Sequence, residues 1–105
     1  MTEYQANVSA FDFSPHTLWY YGLGLAGEAG EAVDFIKKIY RPGPSPYGLP
    51  VLSDAEKHKL VLELGDTLWY LTRIASLLGV TIGEIAQANI EKLTERRAQK
   101  GAVTG

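Results

Sequence analysis

Glu28 and Glu31 stand three residues apart in Gly24-Leu25-Ala26-Gly27-Glu28-Ala29-Gly30-Glu31, and Glu63 and Asp66 repeat that spacing in Glu63-Leu64-Gly65-Asp66. Both pairs are set in apolar sequence that suits a helix. A three-residue step falls about 60° short of a full turn, so each pair shares one helix face. Two such helices packed together would concentrate four carboxylates in one place, where they repel unless something positive lies between them. An all-oxygen ligand set suits a hard divalent cation, Mg²⁺ or its substitute Mn²⁺.

Composition narrows what such a site could serve. The 105 residues fit one domain with a modest core. A net charge of −2 supplies no basic field to recruit nucleic acid. The absence of cysteine excludes disulfide scaffolds, thiolate metal sites and thiol nucleophiles. Met1 to Ala10 lacks the pattern of a signal peptide, and no apolar run is long enough to span a bilayer. The expectation is a cytoplasmic protein with no membrane partner.

The elements that must position the carboxylates are helices. Thr2-Glu3-Tyr4-Gln5 has the form of a capping box opening a short helix to about Ala10, and Ser14-Pro15 suits the start of a second that runs to Tyr40. Its apolar line comprises Leu18, Leu25, Ala32 and Ile39, with Ala29 and Ile36 beside it. Gly22, Gly24, Gly27 and Gly30 are unfavourable in a helix interior and point to close backbone approach or a bend. A Pro/Gly-rich loop follows over 41–52. Ser53-Asp54-Ala55-Glu56 is a capping box for a third helix ending at Gly79, its stripe running from Leu60 and Leu64 through Tyr70 to Leu77 and Leu78. Thr81 and Glu84 form another box for a fourth helix, which runs to about Gln99 before a frayed end at 100–105. No stretch reads as a strand. The expected class is all-α, one domain over 1–105.

Wheel geometry places Glu63 within about 20° of Tyr70 and Ile74, inside the apolar stripe, where an isolated charge is costly. Asp66 lies about 60° further round, and Glu28 at the edge of its own stripe with Glu31 about 60° beyond. On the fourth helix Asn89, Lys92 and Arg96 fall within about 60° of one another, on the side of Ile85 and Leu93. Metal plus cations is what a polyphosphate requires. Each feature has a plainer alternative: a solvated Glu28–Glu31 face beside Lys37 and Lys38, a buried pair of Glu63 with Arg96 or Lys92, an ordinary fourth-helix surface. One ligand site accounts for all of them together. Lys38 and Trp19 are further candidates for substrate contact. Trp19, Tyr20, Tyr21, Trp69 and Tyr70 suit either a core or stacking on a base. His16 and His58 have no partner at zinc-ligand spacing. Gly22-Leu23-Gly24-Leu25-Ala26-Gly27 matches a dinucleotide-binding glycine pattern but follows no strand, so that reading is rejected.

Gly24 to Glu31 followed by Lys37-Lys38, then Glu63 to Tyr70, then Asn89, Lys92 and Leu93, resembles the MazG-like all-α nucleoside triphosphate pyrophosphohydrolases, and Tyr4-Gln5 fits their usual opening. The resemblance spans roughly residues 4 to 97. It implies a four-helix-bundle-type domain, assembled as a homodimer or as a dimer of dimers (a homotetramer). It also implies Mg²⁺-dependent hydrolysis of nucleoside triphosphates, dNTPs or modified NTPs, between the α and β phosphates, as in house-cleaning enzymes. Glu28, Glu31, Glu63 and Asp66 would bind the metal. Asn89 and Lys92 would contact phosphate or substrate, and wheel geometry adds Arg96. The proton of the attacking water would pass to Glu31 or Glu63, while Lys92 counters charge growing on the phosphates. The Pro-rich insert over 42–50 sets the blocks further apart than in many members. A nucleotide-sensing module without turnover and a helical assembly protein are the rival readings.

Overall fold

The computed structural model describes residues 3–12, 17–39 and 52–104, with 102–104 described by main chain only. These residues form four helices, α1 (Glu3–Ser9), α2 (Leu18–Ile39), α3 (Asp54–Leu78) and α4 (Ile82–Thr104), and no strand. Thr2, the Ser14-Pro15 start, His16 and all of the expected loop before Leu52 lie outside the described residues.

Helix boundaries follow local chemistry. At α3 the expected capping box is complete: the Glu56 N–H donates to Ser53 Oγ at 3.1 Å and the Ser53 N–H donates to Glu56 Oε1 at 3.0 Å. Gly79, at φ 72°, ends α3. The Val80 and Gly79 N–H groups turn back to the carbonyls of Ala75 and Ser76, a Schellman closure. Thr81 Oγ1 accepts from the Glu84 N–H at 3.0 Å and opens α4.

Two expectations change. The described cap of α2 is Thr17, whose Oγ1 faces the Tyr20 N–H at 3.5 Å and whose carbonyl takes the Tyr21 N–H. The capping box expected of Thr2 with Gln5 lies partly outside the described residues, since Thr2 is not among them. And α4 continues past Gln99 to Thr104. Gly101 does not adopt the left-handed conformation that ends α3 at Gly79, and the roughly 1 kcal/mol it costs inside a helix is not enough to stop one without a proline.

Backbone contacts divide the chain into two compact units, with the boundary inside α3. The unit over Pro15–Leu71 sets α2 against the first part of α3. The two run antiparallel, since Tyr21 meets Trp69 near one end while Phe35 meets Lys59 near the other. Tyr21, Ala32 and Ile39 form the buried line of α2. Leu18, Ile36 and Leu64, expected within stripes, are exposed, because one neighbouring helix covers only part of so wide an apolar surface.

The other unit joins Met1–Ser14 to Thr72–Gly105. Gln5, only 1% exposed, lies at its centre. Its Nε2 donates to the Val80 carbonyl at 3.0 Å and to Ser76 Oγ at 3.4 Å, while its Oε1 accepts the Ile82 N–H at 3.3 Å. One amide thus satisfies backbone groups that the end of α3 and the start of α4 leave open. Arg73 Nε donates to Asp12 Oδ2 at 2.9 Å with both side chains largely buried. Beyond Ile85 every described side chain of α4 is exposed. Wheel geometry set Asn89, Lys92 and Arg96 on the core side with Leu93, but within this chain that side is exposed, since only the first turns of α4 are covered.

Candidate functional site

Three of the four motif carboxylates converge. Oxygens of Glu28 and Glu31 from α2 and of Glu63 from α3 lie within 4.8 Å of one another. Glu28 and Glu63 are half-buried, Glu31 exposed. One oxygen of each half-buried acid, Glu28 Oε2 and Glu63 Oε2, is fully shielded and has no hydrogen-bond partner. Buried acceptors are seldom left so. Burial raises the pKa of Glu28 above its ordinary value of 4.5, and the nearby Glu31, Asp66 and Glu63 carboxylates add to the effect. Unpartnered oxygens and crowded like charges are together what a divalent cation would relieve, and the donor set is oxygen only, so the residues present fit Mg²⁺ or Mn²⁺.

Asp66 stands apart from this trio. It is exposed and, with Glu28, Trp69 and Tyr70, lines a hollow of about 310 Å³. Its position follows from the helix: three residues on from Glu63 it is displaced about 4.5 Å along the axis and about 60° around it. Its charge still bears on Glu28.

The rings beside that hollow form one cluster. Tyr21 packs edge-on against Tyr20 at 5.5 Å and tilts over Trp69 at 6.2 Å, and Trp69 meets Tyr70 edge-on at 5.0 Å. Tyr70 lies against Gly24, where an added Cβ would collide with its ring. This is the close approach that the α2 glycines suggested, at one glycine of the four: Gly22, Gly27 and Gly30 face open space. Burial raises the Tyr70 pKa, as does the neighbouring Tyr20 hydroxyl, so the phenol stays protonated at ordinary pH. Trp19 is 82% exposed and takes no part in these ring contacts.

On the other side of the trio is a groove of about 490 Å³, lined by Gly27, Gly30, Glu31, Asp34, Phe35, Lys38, Lys59 and Glu63. Lys38 Nζ is paired with Asp34 at 2.8 Å, and this contact raises its pKa. The plainer alternatives can now be compared with what is present. Glu31 has no lysine partner among the described residues, since Lys38 pairs with Asp34. Glu63 keeps an unpartnered oxygen rather than a buried pair with Lys92 or Arg96. Asn89, Lys92 and Arg96 are all exposed on α4, in the other unit. His58 is exposed, as its lysine-flanked position implies.

Sequence reasoning overlooked Asp34, Phe35 and Lys59. The signal available for Lys59 was its four-residue spacing to Glu63, which on a helix suggests an ordinary surface pair.

The profile of the MazG nucleotide pyrophosphohydrolase domain matches residues 14–100, crossing both compact units and starting after Tyr4-Gln5. Among curated proteins, the "Gene 37 protein" of Mycobacterium phage L5 is 35% identical over 88 residues, covering 84% of this chain and 72% of that protein. No solved structure matches the chain. The match spans the positions of Glu28, Glu31, Glu63 and Asp66, and by it this chain belongs to the MazG nucleotide pyrophosphohydrolase family.

Proposed function

We propose that the protein hydrolyses nucleoside triphosphates, dNTPs or modified NTPs, between the α and β phosphates to a nucleoside monophosphate and pyrophosphate, in the manner of a house-cleaning enzyme. The observation that carries this is the Glu28–Glu31–Glu63 convergence with two shielded, unpartnered oxygens. Glu28, Glu31 and Glu63 would hold the cation, and Asp66 would extend the acidic set towards Tyr70. A bound Mg²⁺ or Mn²⁺ supplies neutralisation of charge on the phosphate oxygens.

In the reaction, water adds at one phosphorus of the α–β anhydride and the bridging P–O bond breaks. The water proton passes to a carboxylate. Glu31, the exposed member of the trio and a lining residue of the groove, suits that role better than Glu63, whose free oxygen is shielded. Lys38 lines the same groove and contacts the polyphosphate. Asn89, Lys92 and Arg96 are assigned to substrate on the sequence motif and their exposure on α4. The chain works as a homodimer or homotetramer whose interface covers apolar side chains such as Leu62, Leu64, Ile90 and Leu93, which one chain leaves exposed. No described helix is long and apolar enough to cross a membrane.

The test is release of pyrophosphate and monophosphate from a panel of canonical and modified (d)NTPs, with Mg²⁺ and with EDTA. Metal-dependent release of both products is expected, falling by about 10²-fold or more in Glu63→Gln. Release of single phosphates instead would refute the reading. A nucleotide-raised melting temperature without turnover would mark a sensor, and indifference to both Mg²⁺ and nucleotide a helical assembly protein.

A further inference from the structure

Lys59 and Glu63 are four residues apart on α3, a spacing at which a lysine and a glutamate on one helix can pair. They do not. Glu63 keeps an oxygen without a partner, and no ion pair joins Lys59 to any described residue. The Lys59 ammonium lies instead over the Phe35 ring, 4.9 Å from its centroid. A ring face steadies a cation without consuming its N–H donors. Lys38, the other cation of the groove, is already matched by Asp34 at 2.8 Å. Among the described residues Lys59 is therefore the cation of the groove without an acidic partner, with Glu63 on its own helix and Glu31 on the facing one.

The antiparallel helices put both cations on the same side of the carboxylates. Lys59 lies about 6 Å along α3 from Glu63, and Lys38 about 10 Å along α2 from Glu31. Asp34 and Phe35 line α2 between Glu31 and Lys38. An anion that begins at the acidic trio and extends along this groove meets Lys59 first and Lys38 after it.

We infer that Lys59 is a specificity-determining phosphate contact, which takes the terminal phosphates of the substrate and so selects polyphosphates over monophosphates. The inference rests on the functional reading above and adds the direction in which the polyphosphate lies. Tripolyphosphate, with three linked phosphates, extends further along the groove from the trio than orthophosphate does.

The experiment titrates inorganic tripolyphosphate and orthophosphate, each with Mg²⁺, into the full chain by calorimetry. Wild type is compared with Lys59→Met, Lys59→Arg and Lys57→Ala. Lys59→Met keeps a long side chain over Phe35 without the charge, and Lys57 lies on α3 outside the groove lining. The expected result is tripolyphosphate affinity at least about tenfold weaker in Lys59→Met, largely restored in Lys59→Arg, unchanged in Lys57→Ala, with orthophosphate affinity unmoved throughout. Equal tripolyphosphate affinity in wild type and Lys59→Met overturns the inference, as does a wild type that binds no tripolyphosphate. Should Lys59→Met fail to fold, Lys59→Gln gives the same reading. Failure of the functional reading looks different: the Lys59 effect on tripolyphosphate persists while no nucleotide is turned over.

Discussion

Glu28 is held between two demands. Burial and the facing carboxylates raise its pKa, so the metal-free native state retains a proton that the unfolded chain releases near 4.5. Stability from this source is complete below that value and is lost as pH rises through the elevated native pKa. A divalent cation reverses the preference by favouring the ionised acid, so metal affinity rises over the same pH range. Glu28→Gln keeps the shape and removes the ionisation. In thermal scans from pH 4 to 8 without metal, the variant should match wild type at pH 4 and melt at or above it at pH 8. It should also lose the stabilisation by Mg²⁺ that wild type shows at pH 8. A variant melting well below wild type at pH 8 without metal would show that the ionised carboxylate is itself a source of stability. The carboxylates were legible in the sequence because their three-residue spacing places them on one face whatever the helices later do. Lys59 was not, since nothing in a one-helix pattern says that its ammonium turns to a ring on another helix rather than to the glutamate one turn away.

At the scale of the element, the α2 glycines differ although their propensities are alike. A Cβ at Gly24 would strike the Tyr70 ring, which is held by its contacts with Trp69 and Tyr20, whereas a Cβ at Gly22 meets nothing. Gly22→Ala should therefore stabilise the protein by about 0.5–1 kcal/mol. Gly24→Ala gains the same helix propensity but must displace the ring, at a cost of about 1–3 kcal/mol, and should come out destabilised. Chemical denaturation of the two variants checks the sign of each, and equal stabilisation by both would show that Tyr70 gives way freely. Capping chemistry local to the chain, such as Ser53 with Glu56 or Gly79 after α3, was readable because every partner lies within a few residues. The bonds from Gln5 to Ser76, Val80 and Ile82 were not readable, because those partners are more than 70 residues away and lie beyond any local pattern.

For the whole molecule, the apolar inventory exceeds what one chain covers. Val61, Leu62 and Leu64 of α3 and Ile90 and Leu93 of α4 are all about half exposed, whereas lone soluble chains keep contiguous apolar surface small. Sedimentation of the full chain at micromolar concentration should give at least twice the chain mass, and Leu62→Glu combined with Leu93→Glu should lower it. A single-chain mass for wild type would leave those side chains without the cover assigned to them. The helical class was readable from periodicity alone, but how widely each stripe is covered depends on neighbours that no stripe identifies. The division into units also sets an order for synthesis. The unit over Pro15–Leu71 is continuous in sequence, so a ribosome delivers it whole before α4 exists. Gln5 is translated before this unit, yet its hydrogen bonds to Val80 and Ile82 must wait for residues translated after it. Until then α1 is a tether awaiting its anchor.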